Sequence, residues 1–177
     1  MKKILFVILG FALLSFTAAT WKEYKNLEGR FRVLLPTDQM TETLKKVKTD
    51  VGELTFHQYI YKPEDKKDDN VFYLVNYCDY PKGSFPKDSV EMIQAFLNET
   101  VEGSAKSVFG KVAYVNDIEL QTHKGKIWRV QYNNNNAQIK NKCFLVGDRF
   151  YLLQVMTVKQ KSLNTSVDKF LESFYVF

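Results

Sequence analysis

From Trp21 onward, apolar and polar residues alternate in short runs, the period of half-buried β-strands. Trp21 to Tyr24 leads into Gly29-Arg30-Phe31-Arg32-Val33-Leu34-Leu35, which alternates until Pro36 stops it. Thr41 to Thr49 and Glu53 to Lys62 flank Asp50-Val51-Gly52, a hairpin with glycine at the tight position. In its second arm Phe56, Gln58 and Ile60 share one face, and His57, Tyr59 and Tyr61 the other. Val71 to Tyr80 is apolar on both faces, which marks a central strand covered on both sides before Pro81 ends it. Four more strands follow. Lys111 to Thr122 and Lys126 to Tyr132 are joined at Lys124-Gly125, and Ala137 to Val146 and Arg149 to Val158 at Gly147-Asp148. Asn133 to Asn136 forms a polar turn between the two hairpins.

Two segments switch to helical period. Asp88 and Glu91 have the spacing of a capping box, ahead of Val90, Ile93, Leu97 and Val101 on one stripe. That stripe fades near Gly103, and Gly110 closes the region. Ser162 to Phe174 carries Val167, Phe170, Leu171 and Phe174 at i, i+3, i+4 and i+7. Consecutive hairpins with two amphipathic helices predict an α+β fold, an antiparallel β-sheet flanked by helices as an α/β/α sandwich. There is no internal linker and no repeat, so residues 20–177 are expected to form one domain.

The first 19 residues stand apart. Met1-Lys2-Lys3 is positively charged, Ile4 to Phe16 is an apolar run, and Thr17-Ala18-Ala19 supplies small residues. This three-part pattern predicts a signal peptide cleaved after Ala19, and so a periplasmic or secreted product. The run is shorter than the roughly 20 residues a spanning helix needs. No cysteine follows it to carry a lipid, so no stable membrane anchor is expected. Its loss leaves 158 residues, enough for one sizeable core, and lowers the formal charge from +5 to +3 as Lys2 and Lys3 leave. The remaining basic runs, Lys45-Lys46-Val47-Lys48 and Lys140-Asn141-Lys142, alternate with other residues and read as solvent faces of strands. No nucleic-acid partner is predicted.

The chain holds 14 Phe, 10 Tyr and 2 Trp. In strands such residues build cores and cross-strand pairs, although ligand grooves use them too. Tyr77, Asp79 and Tyr80 end the central strand beside a proline, where a sheet presents side chains to a groove, and Trp128 on a neighbouring hairpin could join them. These four are the candidate ligand-binding residues, and plain packing of the strand end is the competing reading. Cys78 and Cys143 are the only cysteines. An oxidising compartment permits a disulfide between them, and their apolar surroundings equally suit two small buried side chains.

Catalytic chemistry finds no constellation. His57 and His123 are the only histidines, one in a strand and one beside a turn, and no metal-ligand spacing involves them. No metal or cofactor is predicted. The acidic loop Pro63 to Asn70 lacks the alternating carboxylates and the glycine of a calcium loop. Both cysteines sit among bulky strand residues, and no serine lies in a nucleophile elbow. Ser84-Phe85-Pro86-Lys87 has the serine-x-x-lysine spacing without that motif's companions.

Several features taken in order resemble the PsbP-like/DcrB-like superfamily of small exported bacterial proteins. They are Trp21, Gly29-Arg30-Phe31-Arg32-Val33 with Pro36, Thr49 to Gly52, and Tyr73-Leu74-Val75-Asn76-Tyr77 with Asp79-Tyr80-Pro81. Gly147-Asp148-Arg149-Phe150-Tyr151 and Phe170-Leu171-Glu172-Ser173-Phe174 complete the set. The resemblance runs over nearly the whole mature chain. It implies an α/β/α sandwich around an antiparallel sheet and an adaptor or assembly role rather than catalysis. Photosystem members help retain calcium and chloride, but no ion-binding residue of theirs matches a position here. The reading is thus a non-catalytic binding or adaptor module of the bacterial envelope, meeting another envelope protein or a small apolar ligand. A hydrolase whose site assembles only in three dimensions is the alternative.

Overall fold

The structure, a computed structural model, describes residues 20–64, 68–86 and 88–177. The expected signal peptide, part of the acidic loop and Lys87 lie outside the described residues. Among the described residues, ten strands and two α-helices follow in chain order. They are β1 (Lys22–Asn26), β2 (Phe31–Leu35), β3 (Thr41–Thr49), β4 (Gly52–Tyr61), β5 (Asn70–Asp79) and α1 (Val90–Lys106). Then come β6 (Lys111–Leu120), β7 (His123–Tyr132), β8 (Ala137–Val146), β9 (Arg149–Val158), α2 (Thr165–Glu172) and β10 (Tyr175–Val176). A seven-stranded sheet runs β3-β4-β5-β9-β8-β7-β6, every neighbouring pair antiparallel. A second sheet, β1-β2-β10, closes on the chain's last strand, which sequence patterning did not suggest.

The fold is α+β and dominated by its sheets. One face of the large sheet carries Tyr59, Tyr73, Val75, Tyr77, Phe144, Tyr151, Leu153 and Val155. It packs against Phe31, Val33 and Leu35 of β2 and against Val167, Phe170, Leu171 and Phe174 of the α2 region. All four positions of the predicted stripe are buried there, Val167, Phe170 and Leu171 within a helix shorter than expected and Phe174 just past its end. Asn164 starts it, its side chain accepting from Val167 N at 3.2 Å. This cover is thus shared between the small sheet and the α2 region, where a helix-flanked sandwich was expected. On the other face Leu97, Val101 and Ala105 of α1 meet Trp128, Val130, Cys143, Leu145 and Phe150. Each Val, Leu or Phe side chain fully buried there contributes about 1.5–3 kcal/mol.

Two local expectations shift. The predicted capping box at Asp88 does not form: Ser89 N donates to Pro86 O at 3.0 Å, and α1 starts after Ser89 without a side-chain cap. Glu91 is then only two residues from the cap, the wrong spacing for the box. Val90 stays 62% exposed while Ala105 extends the buried stripe past Gly103. The β6–β7 turn lies at Gln121-Thr122, and Gly125 is inside β7, paired with Ile118 and Phe144. A Cβ there would come within 2.1 Å of Cys143 O and 2.5 Å of Phe144 Cδ1. The glycine thus serves close approach between strands, not the turn.

Candidate functional site

The four candidate binding residues divide between the two faces of the sheet. Tyr77 pairs with His57 and Tyr151, and Asp79 with Arg149, on the α2 side. The Tyr77 ring is 1% exposed, stacks on His57 at 4.5 Å and 5°, and has the Arg149 guanidinium 4.6 Å from its centre. Its hydroxyl is buried without a hydrogen-bond partner among the described residues. Asp79 receives two bonds from Arg149, at 2.6 Å from Nε and 2.5 Å from Nη2. That guanidinium holds the Asp79 carboxyl below its usual range and donates onward to Glu28 O.

Tyr80 and Trp128 lie on the α1 side. Tyr80 meets Phe85 and Phe96 edge-on at 5.1 and 5.5 Å, and burial pushes its hydroxyl up to about 12. Trp128 is fully buried, and its Nε1 donates to Ser104 Oγ of α1 at 2.7 Å. No shared groove joins the four: Tyr77 and Trp128 are core side chains, and Asp79 anchors the end of β5. Alternation reveals which residues of one strand share a face, but register decides how faces of different strands correspond.

Nor do the nucleophiles and bases converge. Cys78 on β5 and Cys143 on β8 are free buried thiols with β9 between them, opposite Phe150 and Leu152 respectively. Two strand spacings of about 4.8 Å exceed the roughly 7 Å a bridge tolerates, so the disulfide reading is corrected to two separate thiols. Burial pushes Cys78 up to about 11 and Cys143 up to about 12, the reverse of activation. His57 Nδ1 lies 3.1 Å from Glu42, which also accepts from Tyr59 at 2.7 Å. Those two contacts, the tyrosine's first, hold the Glu42 carboxyl below its usual range. Among the described residues no group of three or more His, Cys, Asp or Glu is placed to hold a metal ion.

A site does form where no single motif pointed. An open cleft of about 700 Å³ lies between the first turns of α1 and the β6–β7 hairpin, closed behind by Phe85, Leu145 and Gly147. Val90, Ile93, Leu145 and Phe85 make it apolar. Its charges are already matched: Lys126 bonds Asp117 at 2.6 Å, Gln94 Nε2 donates to the same carboxylate at 3.1 Å, and Lys124 pairs with Glu119. Lys126, followed by Gln94, holds the Asp117 carboxyl low. His123 lines the cleft and also a neighbouring recess of about 450 Å³ with Asp79, Arg149 and Phe177.

Asp148 in the β8–β9 turn sets the back wall. Its carboxylate accepts from Gly83 N at 2.8 Å and Phe85 N at 3.1 Å, and its carbonyl from Tyr80 N at 2.9 Å. Gly147 beside it has φ 61°, the left-handed region glycine favours. Read in sequence as a plain turn, Gly147-Asp148 in fact fixes the loop that presents Phe85. The only local clue was an aspartate in a tight turn, and such residues often bond backbone N–H groups.

No family model matches the chain, and no curated protein matches it in sequence. Among solved structures, the cyanobacterial PsbP (CyanoP) of Synechocystis sp. PCC 6803 superimposes with a TM-score of 0.56 at 13% identity, covering 96% of this chain and 99% of that one. A Pseudomonas aeruginosa protein of unknown function, PA94, gives 0.42 at 11% identity over 84% of this chain and 90% of that one. The likeness to CyanoP is one of fold, and it agrees with the resemblance seen in the sequence. This chain has a PsbP-like fold.

Proposed function

We propose that the chain is an exported, non-catalytic binding module of the bacterial envelope. Its working surface is the cleft between α1 and the β6–β7 hairpin, which takes a small apolar ligand or an apolar segment of an envelope protein. One observation carries the proposal: the cleft's charges are paired among themselves, so apolar surface is what it has left to offer. The hydrolase alternative draws no support from the geometry, since both thiols are buried with raised pKa and the histidines serve separate surroundings.

Native mass spectrometry of the protein purified from an envelope fraction tests this reading. A bound species is expected, and it should be lost in Val90→Trp, which fills the cleft from an exposed position. A protein that carries nothing, or a Val90→Trp variant that retains its cargo, contradicts it. Export is tested separately by N-terminal sequencing of the mature product: Thr20 is the expected first residue, and a retained Met1 overturns it.

A further inference from the structure

At the opposite end of the large sheet, a second recess of about 330 Å³ lies beside the start of α2. Its floor is Arg129 of β7, Gln138 and Lys140 of β8, and Thr157 of β9, all on the α2 side of the sheet. Arg129 and Lys140 are direct cross-strand partners, so two positive charges stand opposite one another, an arrangement that disfavours the sheet when nothing answers it. One carboxylate is at hand, Asp168 of α2, and it pairs with Lys140. Arg129 has no ion pair among the described residues. Its guanidinium lies 5.1 Å from the Tyr114 ring, and its Nε is buried without a hydrogen-bond partner. A buried donor left unmatched in a polar recess is unusual in a native protein. The positive field extends to Lys142, whose ammonium is held below its usual range by burial and by Lys140.

We propose that this recess binds a small oxyanion of the phosphate class. The planar fork of Arg129 suits two oxygens of one tetrahedral group, and Lys140 supplies a second charge from the facing strand. Ser162 and Thr165 line the same recess, and residues of their type can offer hydroxyl donors. A volume of about 330 Å³, set against about 30 Å³ for one water, leaves room for an oxyanion and a substituent on it. The site shares no lining residue with the apolar cleft, so it stands or falls independently.

The test is an NMR titration of the intact protein with inorganic phosphate at neutral pH and constant ionic strength, following the Arg129 Nε–H together with the backbone amides of Lys140, Thr157 and Thr165, which remain as reporters in every variant. A parallel arm with glycerol phosphate distinguishes a free ion from an esterified one. Saturable shifts are expected, weakened at least tenfold in Arg129→Gln. Asp168→Asn, an exposed change, should tighten binding at least threefold because it frees Lys140. Shifts that never saturate, shifts that chloride reproduces at the same ionic strength, or an unchanged constant in Arg129→Gln overturn the proposal. An unchanged or weaker constant in Asp168→Asn overturns the role given to Lys140, and Lys140→Met then serves as the second check on whether the cation pair binds at all.

Discussion

Trp128 and Gly125 sit three residues apart on β7, and both owe their place to the strand beside them. The indole is enclosed by α1 and β8 and spends its one donor on Ser104. Removing it leaves a cavity, so Trp128→Ala should cost about 3–5 kcal/mol in urea unfolding. A tryptophan facing a ligand groove would cost far less, and a loss under about 1 kcal/mol would contradict its core position. Tyr77, read from the sequence as a groove residue, is likewise held within the sheet by His57 and Arg149. At this scale residue type was informative and neighbours were not: aromatic residues at alternating positions announced burial, but nothing local told which side chain would cover them.

The elements were legible wherever their pattern was local. The four apolar positions from Val167 to Phe174 are one helical stripe in sequence and one buried ridge in the fold. The hairpins of β3–β4 and β8–β9 turn at Gly52 and Gly147, both with positive φ. Boundaries failed where a nonlocal contact decided them. Gly125 passed for a turn residue because glycine suits turns, whereas its need comes from Phe144 on the next strand. The cleft was invisible for the same reason, being assembled from α1, β6, β7 and two turns. Asp148 carries a prediction at this level. Asp148→Ala removes two bonds to the loop before α1, which should cost about 1–2 kcal/mol because the group is not deeply buried. Amide hydrogen exchange should rise at Gly83 and Phe85 and stay unchanged in β5. Unaltered exchange in that loop would show that Asp148 does not hold it.

For the whole molecule, the antiparallel pairing followed from the chain of hairpins while the β5–β9 contact that joins the two halves of the sheet did not, and the PsbP-like fold agrees with the resemblance carried by short motifs. The second sheet was not foreseeable, because a two-residue strand pairing with β2 has no periodicity of its own. A large share of the molecule's titration is written into its tyrosines and thiols. Burial raises Tyr59, Tyr73 and Tyr80 as well as both cysteines. The fold disfavours their ionised forms, so the unfolded chain releases these protons first. Stability from these groups is therefore complete below the unfolded thiol value of about 8.5 and falls as pH rises through it and then past the unfolded tyrosine value of about 10. Tm should decline steadily from about pH 9 towards pH 12, and a flat profile there would contradict the buried state of these groups. On the acid side Asp79, held low chiefly by Arg149, keeps its contribution above about pH 3.9 and loses it as pH falls through its lower folded value.

The cleft is the centre of this account, and its rival as a binding surface is the half of the sheet's α1 side that α1 leaves uncovered, where Ile60 and Met156 are only half buried. Methyl NMR on isoleucine- and leucine-labelled protein separates the two most directly, with the envelope species that the purified protein retains added back to stripped protein. The account predicts shifts at Ile93 and Leu145, with Ile60 and Leu74 unmoved. Shifts confined to Ile60 and Leu74 would contradict it.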